Sequence, residues 1–310
     1  MPLSVLALIA STVLLGFLAG PVLDGLRRPA IGPGTAIACW VAALTGTFIA
    51  SAAVVVVALI SPPGPGHGLL ERLRDCLPHH GYLVVIMAAV ATLVLVAACV
   101  SRLASGLPRL RRAVRRRRRH REMLRLVARE HRRHTDVLVL DHPVPVAYSL
   151  PARRRPIVVS TGAQEALTDA ELGAVLAHER AHLRHRHHAL LLMLDLVHAL
   201  LPWLPTVRRA KARLPILLEM AADDAAASAY GRRTLVNALC RLSAAPRATG
   251  ALGAAGESGL VERVLRLEGP GLVRPPRRSA RLAACAFAAA AVAAPLLVGA
   301  VAIAELSTTC

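Results

Sequence analysis

Four long runs with no charged side chain constrain this chain more than any other feature. They are Leu3 to Leu23, Thr35 to Ile60, Tyr82 to Val100 and Leu282 to Ala304. Each is about 20 residues or more, the length that crosses a hydrocarbon core of roughly 30 Å at about 1.5 Å per residue. The chain is 55% hydrophobic but only 3% aromatic, with a mean hydropathy of +0.51, so the apolar excess lies in these runs rather than in one large soluble core. The pattern predicts an integral membrane protein with about four transmembrane helices. The first run lacks the basic start of a secretory signal and continues into "GPVLDG", so it reads as a retained span.

Arginine sets the expected orientation. Arg27 and Arg28 follow the first run, whereas "SPPGPGHGLLERLRDCLPHHG" after the second offsets Arg72 and Arg74 with Glu71 and Asp75. The third is followed by "RLRRAVRRRRRHR", the densest cationic block in the chain. The positive-inside rule then places both termini outside and residues 105–279 in the cytoplasm. The formal net charge of +19 is almost all arginine, Lys211 being the only lysine. The block from Arg109 to Arg133 reads as a topology anchor on anionic lipid rather than a nucleic-acid surface, since no aromatics interleave it. The cysteines show no metal-type spacing. Cys39, Cys99 and Cys285 fall in spans, Cys240 is expected reduced, and Cys76 and Cys310 share the predicted outer side, where a disulfide between them is an option.

Three domains follow: residues 1–104 with three spans, 105–279 as one compact cytoplasmic segment, and 280–310 with the last span and a short tail. The middle segment opens with a basic helical stretch to about His134. Val137 to Leu140, Val146 to Ser149 and Ile157 to Ser160 read as strands, and the prolines between them limit the sheet to a small one. Helices are expected from about 162 to 243, with a Gly/Ala connector and a short amphipathic helix, "LVERVLRLEG", after them. "ALLLMLDLVHALLPWLP" is apolar but carries Asp195 and His198, and reads as a buried or membrane-contacting helix rather than a full crossing.

The chemistry lies in "VLAHERAHLRHRHH". Thr168 and Glu171 form a capping-box pattern that starts a helix. His178 and His182, four apart, then project from one face and can meet one zinc ion, with Glu179 placed to activate the attacking water. His185, His187 and His188 read as bystanders on a solvated face, because no glycine turns the chain back towards the pair. A catalytic zinc needs a third protein ligand. Glu219, on an Ala-rich helix, is the candidate, and Asp223 one turn on can hold the far nitrogen of a histidine ligand; Asp224 is its rival but points about 100° away. Tyr230, Arg232 and Arg233 follow as candidate oxyanion donors that spacing does not separate.

The segments "VAYSLPARRRPIVVSTGA", "LTDAELGAVLAHERAHLRHRHH" and "EMAADDAA", in that order between the third and fourth spans, resemble the BlaR/MecR-type membrane gluzincin peptidases of bacteria. HtpX-type membrane peptidases are more distant kin. The resemblance covers roughly residues 80–306. It implies a mainly α membrane protein whose helical zinc-peptidase domain, with a small edge sheet, sits between the third and fourth spans. It further implies that His178, His182 and Glu219 bind zinc, that Glu179 is the catalytic base, and that Asp223 supports a ligand. The implied setting is a bacterial cell membrane, multi-pass, with the active site facing the cytoplasm. Its substrate is a protein or peptide, such as a transcriptional repressor or a membrane protein under quality control; an inactive signal transducer or scaffold keeping the fold is the alternative. Two departures stand out. Such families often carry an aspartate where this chain has His187, and the short tail predicts a form without the penicillin-binding sensor domain.

Overall fold

The computed structural model describes residues 3–25, 31–60, 126–150, 156–243, 256–269 and 278–308, with scattered positions from 97 to 124. The expected third span lies outside the described residues except at Ala97 and Val100, and the Cys76–Cys310 pairing lies outside them altogether. The chain divides into two compact units. One comprises Met1–Leu107, Leu194–Ala212 and Pro276–Cys310; the other comprises Pro108–Met193 and Arg213–Pro275. The segment between the third and fourth apolar runs therefore lends residues 194–212 to the first unit.

In the first unit, α1 (Leu3–Val13), a π-helical turn (Leu14–Leu18) and α2 (Ala19–Gly25) follow one another as one apolar rod. Beside it stand α3 (Pro33–Ile60) and the last helix, α10 (Arg278–Thr308). Three windows, Leu6–Gly25, Pro33–Val54 and Arg278–Glu305, are long and apolar enough to cross a membrane. Contacts fix their directions. Cys39 lies against Ala284, Gly46 against Ala291 and Ala53 against Gly299, so α3 and α10 run parallel. Leu8 packs with Val57 and Ala302, Leu15 reaches Gly46, and the Ser4 hydroxyl donates to Glu305 at 2.6 Å, so the first rod runs antiparallel to both.

One close approach holds the parallel pair. A Cβ on Gly46 would lie 2.0 Å from the Ala291 carbonyl oxygen. Pro295, four residues further along α10, has no N–H to give that carbonyl, which faces the Gly46 α-carbon instead. Small residues at such crossings let apolar helices pack backbone to backbone.

The second unit is built around a four-stranded sheet in the order β1-β2-β4-β3. Its strands are β1 (Arg129–Glu130), β2 (Val137–Leu140), β3 (Ala147–Ser149) and β4 (Ile157–Ser160). β2 and β4 are parallel, the other pairs antiparallel, and β3 is an edge. β1 is a correction to the sequence expectation: the basic stretch leaves its helix before Arg129 and pairs with β2. Ser160 then caps α4 (Thr161–Ala166), accepting the Ala163 amide while donating to the Val144 carbonyl.

The central helix is α5 (Asp169–Arg184). Thr168 and Glu171 form the full capping box at its start. One flank buries Leu172, Val175 and Leu176 against Val137, Ile157 and Val159 of the sheet and Ala238 of α8 (Arg232–Ser243). Ala174 packs instead with Ala226, Leu235 and Leu267, which belong to α7 (Pro205–Tyr230), α8 and α9 (Gly256–Glu268). A helix covered on two sides has little solvated face left, so its histidines are buried rather than surface decoration. Arg180 adds a bidentate pair to Asp136 at 2.8 and 2.9 Å, tying α5 to the sheet just before β2.

Two tests follow. Gly46→Val should cost about 1–3 kcal/mol, seen as an earlier thermal transition of the detergent-solubilised protein, because neither backbone can recede. Asp136→Asn should cost about 0.5–1 kcal/mol at neutral pH, both partners being about one-third exposed at 35% and screened by water. The Arg180 hydrogen bond, working against burial, holds the Asp136 carboxyl below its usual range. A depressed carboxyl stabilises above its unfolded value and loses that contribution as pH falls through its folded one. The gap between wild type and variant should therefore close in acid; a constant gap would contradict the assignment.

Candidate metal centre

The HExxH spacing becomes geometry on α5. His178 and His182 are 7% and 8% exposed, and their Nε2 atoms face each other at 3.0 Å. α7 brings Glu219 up to both, with one carboxylate oxygen 3.4 Å from His178 Nε2 and the other 3.4 Å from His182 Nε2. All three ligand atoms lie within 4.8 Å of one another. Two ligands each about 2.0–2.1 Å from a tetrahedral ion sit roughly 3.3–3.4 Å apart, so the set fits a zinc-sized cation.

The outward nitrogens are equally telling. His178 Nδ1 stands 3.1 Å from Asp223 Oδ1, within ion-pair distance though off the line of a strict hydrogen bond. Asp223 is fully buried, so the carboxylate serves this site and nothing outside it. Asp224, the rival, turns away to Arg266 at 2.7 Å. His182 Nδ1 lies 2.8 Å from His187 Nδ1. The expectation that His187 is a bystander is thereby corrected, since it is 3% exposed and packed on a ligand. The chain turns back without glycine because Arg186 adopts the left-handed region at φ 52°, a conformation that costs a non-glycine residue about 1–2 kcal/mol. α6 (His187–Leu200) starts directly after it. His188 also has a role, with Nε2 3.2 Å from the Ser149 hydroxyl on β3. His185 remains exposed, stacked on His187.

For His182 to offer Nε2 to a metal, its proton must sit on Nδ1, and His187 Nδ1 must accept it. His187 is thus a neutral counterpart of Asp223: each fixes the tautomer of one ligand. Burial, reinforced by neighbouring His185, pushes His187 down to about 4, which keeps that accepting lone pair free. Burial likewise pushes His182 down to about 3, against the pull of Glu219. His178 differs. Burial alone would lower it, but Asp223 and Glu219 outweigh burial and hold it at about 9. The two carboxylates favour positive charge on His178, whether from a proton or from a bound cation.

Arg263 on α9 completes the electrostatics. It grips Asp223 with two hydrogen bonds of 2.7 Å and reaches Glu219 Oε2 at 3.0 Å. Burial would raise both acids, but Arg263 and His178 together bring each down to about 2, so both stay ionised. Nothing in the sequence marked Arg263; its one hint is that "ERVLR" spaces two arginines to match adjacent Asp223 and Asp224. Glu179 lies beside the pair. Burial raises its carboxyl above the usual range, while His178 and a hydrogen bond with Ser149 pull the other way. The acid on the HExxH helix therefore rests against Ser149, at the end of edge strand β3.

The three oxyanion candidates follow Glu219 and Asp223 along the chain. Tyr230 is eleven residues beyond Glu219 on the same helix, about 16 Å along its axis, and its ring covers Gly173. Arg232 is half-buried and Arg233 exposed, both past the glycine that ends that helix. Among the described residues, the cationic donor beside the ligand set is Arg263.

Residues 113–249 match the model of Peptidase family M48, a family of metal-dependent peptidases. The match takes in β1 to α8, with His178, Glu179, His182, Glu219 and Asp223, and stops short of Arg263. It supports a metallopeptidase. No curated protein and no solved structure matches the chain.

Metal affinity provides the test. Glu219→Gln should abolish tight zinc binding in a chelator competition. His187→Leu should weaken it by about 10–100-fold, and His187→Asp should restore it, because an acceptor returns to His182 Nδ1. Equal affinity in wild type and His187→Leu would show that the His182–His187 contact is incidental.

Proposed function

We propose that this chain is a membrane-embedded zinc endopeptidase that cleaves protein segments on the cytoplasmic side. The observation that carries the reading is the convergence of His178, His182 and Glu219 beside Glu179, inside the segment that matches a metallopeptidase family. A zinc ion held by these three side chains would supply the Lewis acidity that polarises a water molecule and a peptide carbonyl. Glu179 takes the proton from the attacking water, the water oxygen bonds to the carbonyl carbon, and the same carboxyl delivers its proton to the departing nitrogen as the C–N bond breaks. The raised Glu179 carboxyl suits both halves of that exchange. Arg263 stays paired with Glu219 and Asp223, holding the acidic ligand and its neighbour ionised.

β3 supports an extended substrate. It is an edge strand, and its Ser149 touches Glu179, so a peptide added to that edge would run past the base. The helix directions support the side of the membrane. α3 and α10 are parallel, so an odd number of crossings separates them, and Tyr82 to Val100 is the apolar run available for one. The segment preceding Arg278 then shares a side with the arginine-bearing loop at 26–32, the side that the positive-inside rule assigns to the cytoplasm. A repressor or a membrane protein under quality control are the substrate types in keeping with that placement.

Glu179→Gln in the purified protein separates chemistry from binding. Zinc content should match wild type while cleavage of an unfolded protein substrate, or of the chain itself, disappears. Unchanged cleavage would remove Glu179 from the reaction.

A further inference from the structure

The turn between α6 and α7 packs into the first apolar rod rather than onto a soluble surface. Leu204 lies against Gly16, where a Cβ would come within 3.3 Å of its side chain. Gly16 is nine residues, about 13 Å, from the Gly25 end of the rod, close to half of a roughly 30 Å hydrocarbon core. Thr206, fully buried, sits where the π-helical turn has opened the helix ladder. Its hydroxyl donates to the Leu15 carbonyl at 2.8 Å and accepts the Gly20 amide at 2.9 Å. A Cβ at Gly20 would fall 2.8 Å from the Thr206 α-carbon, so only glycine admits this contact. One hydroxyl therefore satisfies two backbone groups that would otherwise face hydrocarbon.

The turn itself is built for apolar surroundings. Pro202 and Pro205 have no amide hydrogen, while the Leu201 and Leu204 amides donate to Val197 and Leu201. From Leu196 to Val207 the single ionisable side chain is half-buried His198. Charges gather where the two legs leave, with Asp195 paired to Lys211, and Arg209 3.8 Å from Asp24 near the rod's end. Large apolar side chains nonetheless point outward: Leu196 is 38% exposed and Trp203 39%, with the Arg102 guanidinium 5.8 Å over one face of the Trp203 ring, as a long arginine reaching towards the headgroups would lie.

We infer that residues 194–212 form a re-entrant hairpin whose turn lies in the acyl-chain region of the bilayer, locked to the first span through Thr206. Its partner is lipid hydrocarbon, which covers Leu196 and the part of Trp203 that the Arg102 guanidinium leaves open. Both legs connect to the peptidase segment, so the hairpin enters and leaves on one side without crossing. Because α7 is one helix from Pro205 to Tyr230, the end fixed in lipid is covalently continuous with Glu219, fourteen residues on. The inference rests on the membrane reading above and adds to it a fifth insertion that does not span.

Trp40 and Trp203 are the two tryptophans of the chain, so Trp40→Phe leaves Trp203 as the sole reporter. In vesicles of phosphatidylcholine brominated on the acyl chains, Trp203 fluorescence should be lost, and aqueous iodide should leave it unchanged. Thr206→Val should open Trp203 to iodide, while Thr206→Ser should keep the wild-type response. A control variant carrying Leu296→Trp with Trp40→Phe and Trp203→Phe reports the last span, where Leu296 is 53% exposed. Quenching of the control by bromine with Trp203 quenched only by iodide would overturn the hairpin and leave the spans standing. Iodide quenching of both would overturn the membrane reading as well. A Thr206→Val variant indistinguishable from wild type would overturn the hydroxyl lock.

Discussion

Two imidazoles one helical turn apart serve a single cation only if each ring is held from behind. In this chain the holding is asymmetric. A buried carboxylate, Asp223, stands behind His178, and a neutral imidazole, His187, stands behind His182. Most of the peptidase unit can be understood as what that arrangement requires. Covering α5 on two flanks removes water from the rings, the left-handed turn at Arg186 returns His187 to the pair, and α7 and α9 bring one acid and one guanidinium. Gathering three carboxylates, fully buried Asp223 with half-buried Glu179 and Glu219, beside one another calls for positive charge among them, and Arg263 supplies part of it.

The unit of apolar helices answers a different constraint, the satisfaction of backbone groups packed among apolar side chains. At Ala291 a carbonyl released by Pro295 is met by the α-carbon of Gly46. At Leu15 and Gly20 groups released by the π-helical turn are met by the Thr206 hydroxyl. Both solutions use a glycine for close approach, and both occur where an α-helix departs from its regular ladder. Irregularities that would weaken a soluble helix here create the sites where another element docks.

Part of the candidate site was legible because helical spacing is rigid: a period of 3.6 puts His178 and His182 on one face of their helix, and Glu219 and Asp223 on one face of theirs. Strands β2, β3 and β4 were legible because prolines and β-branched runs bracket them. What sequence hid was whatever depends on tertiary return. His187 looked solvated because "LRHRHH" has no glycine, yet Arg186 makes the turn anyway. Arg263 lies forty residues beyond the acid it pairs with, on a helix whose amphipathicity alone was visible. The two-residue β1 is too short to carry a period, and the side-chain lock at Thr206 involves a partner almost two hundred residues away.

X-ray absorption at the zinc edge of the purified protein reads the atoms around the metal. One zinc per chain is expected, with imidazole nitrogens and carboxylate or water oxygen at about 2.0–2.1 Å and no sulfur. That spectrum should lose imidazole scattering in His178→Ala. A shell containing sulfur at about 2.3 Å, or a wild-type protein that retains no metal, would contradict it.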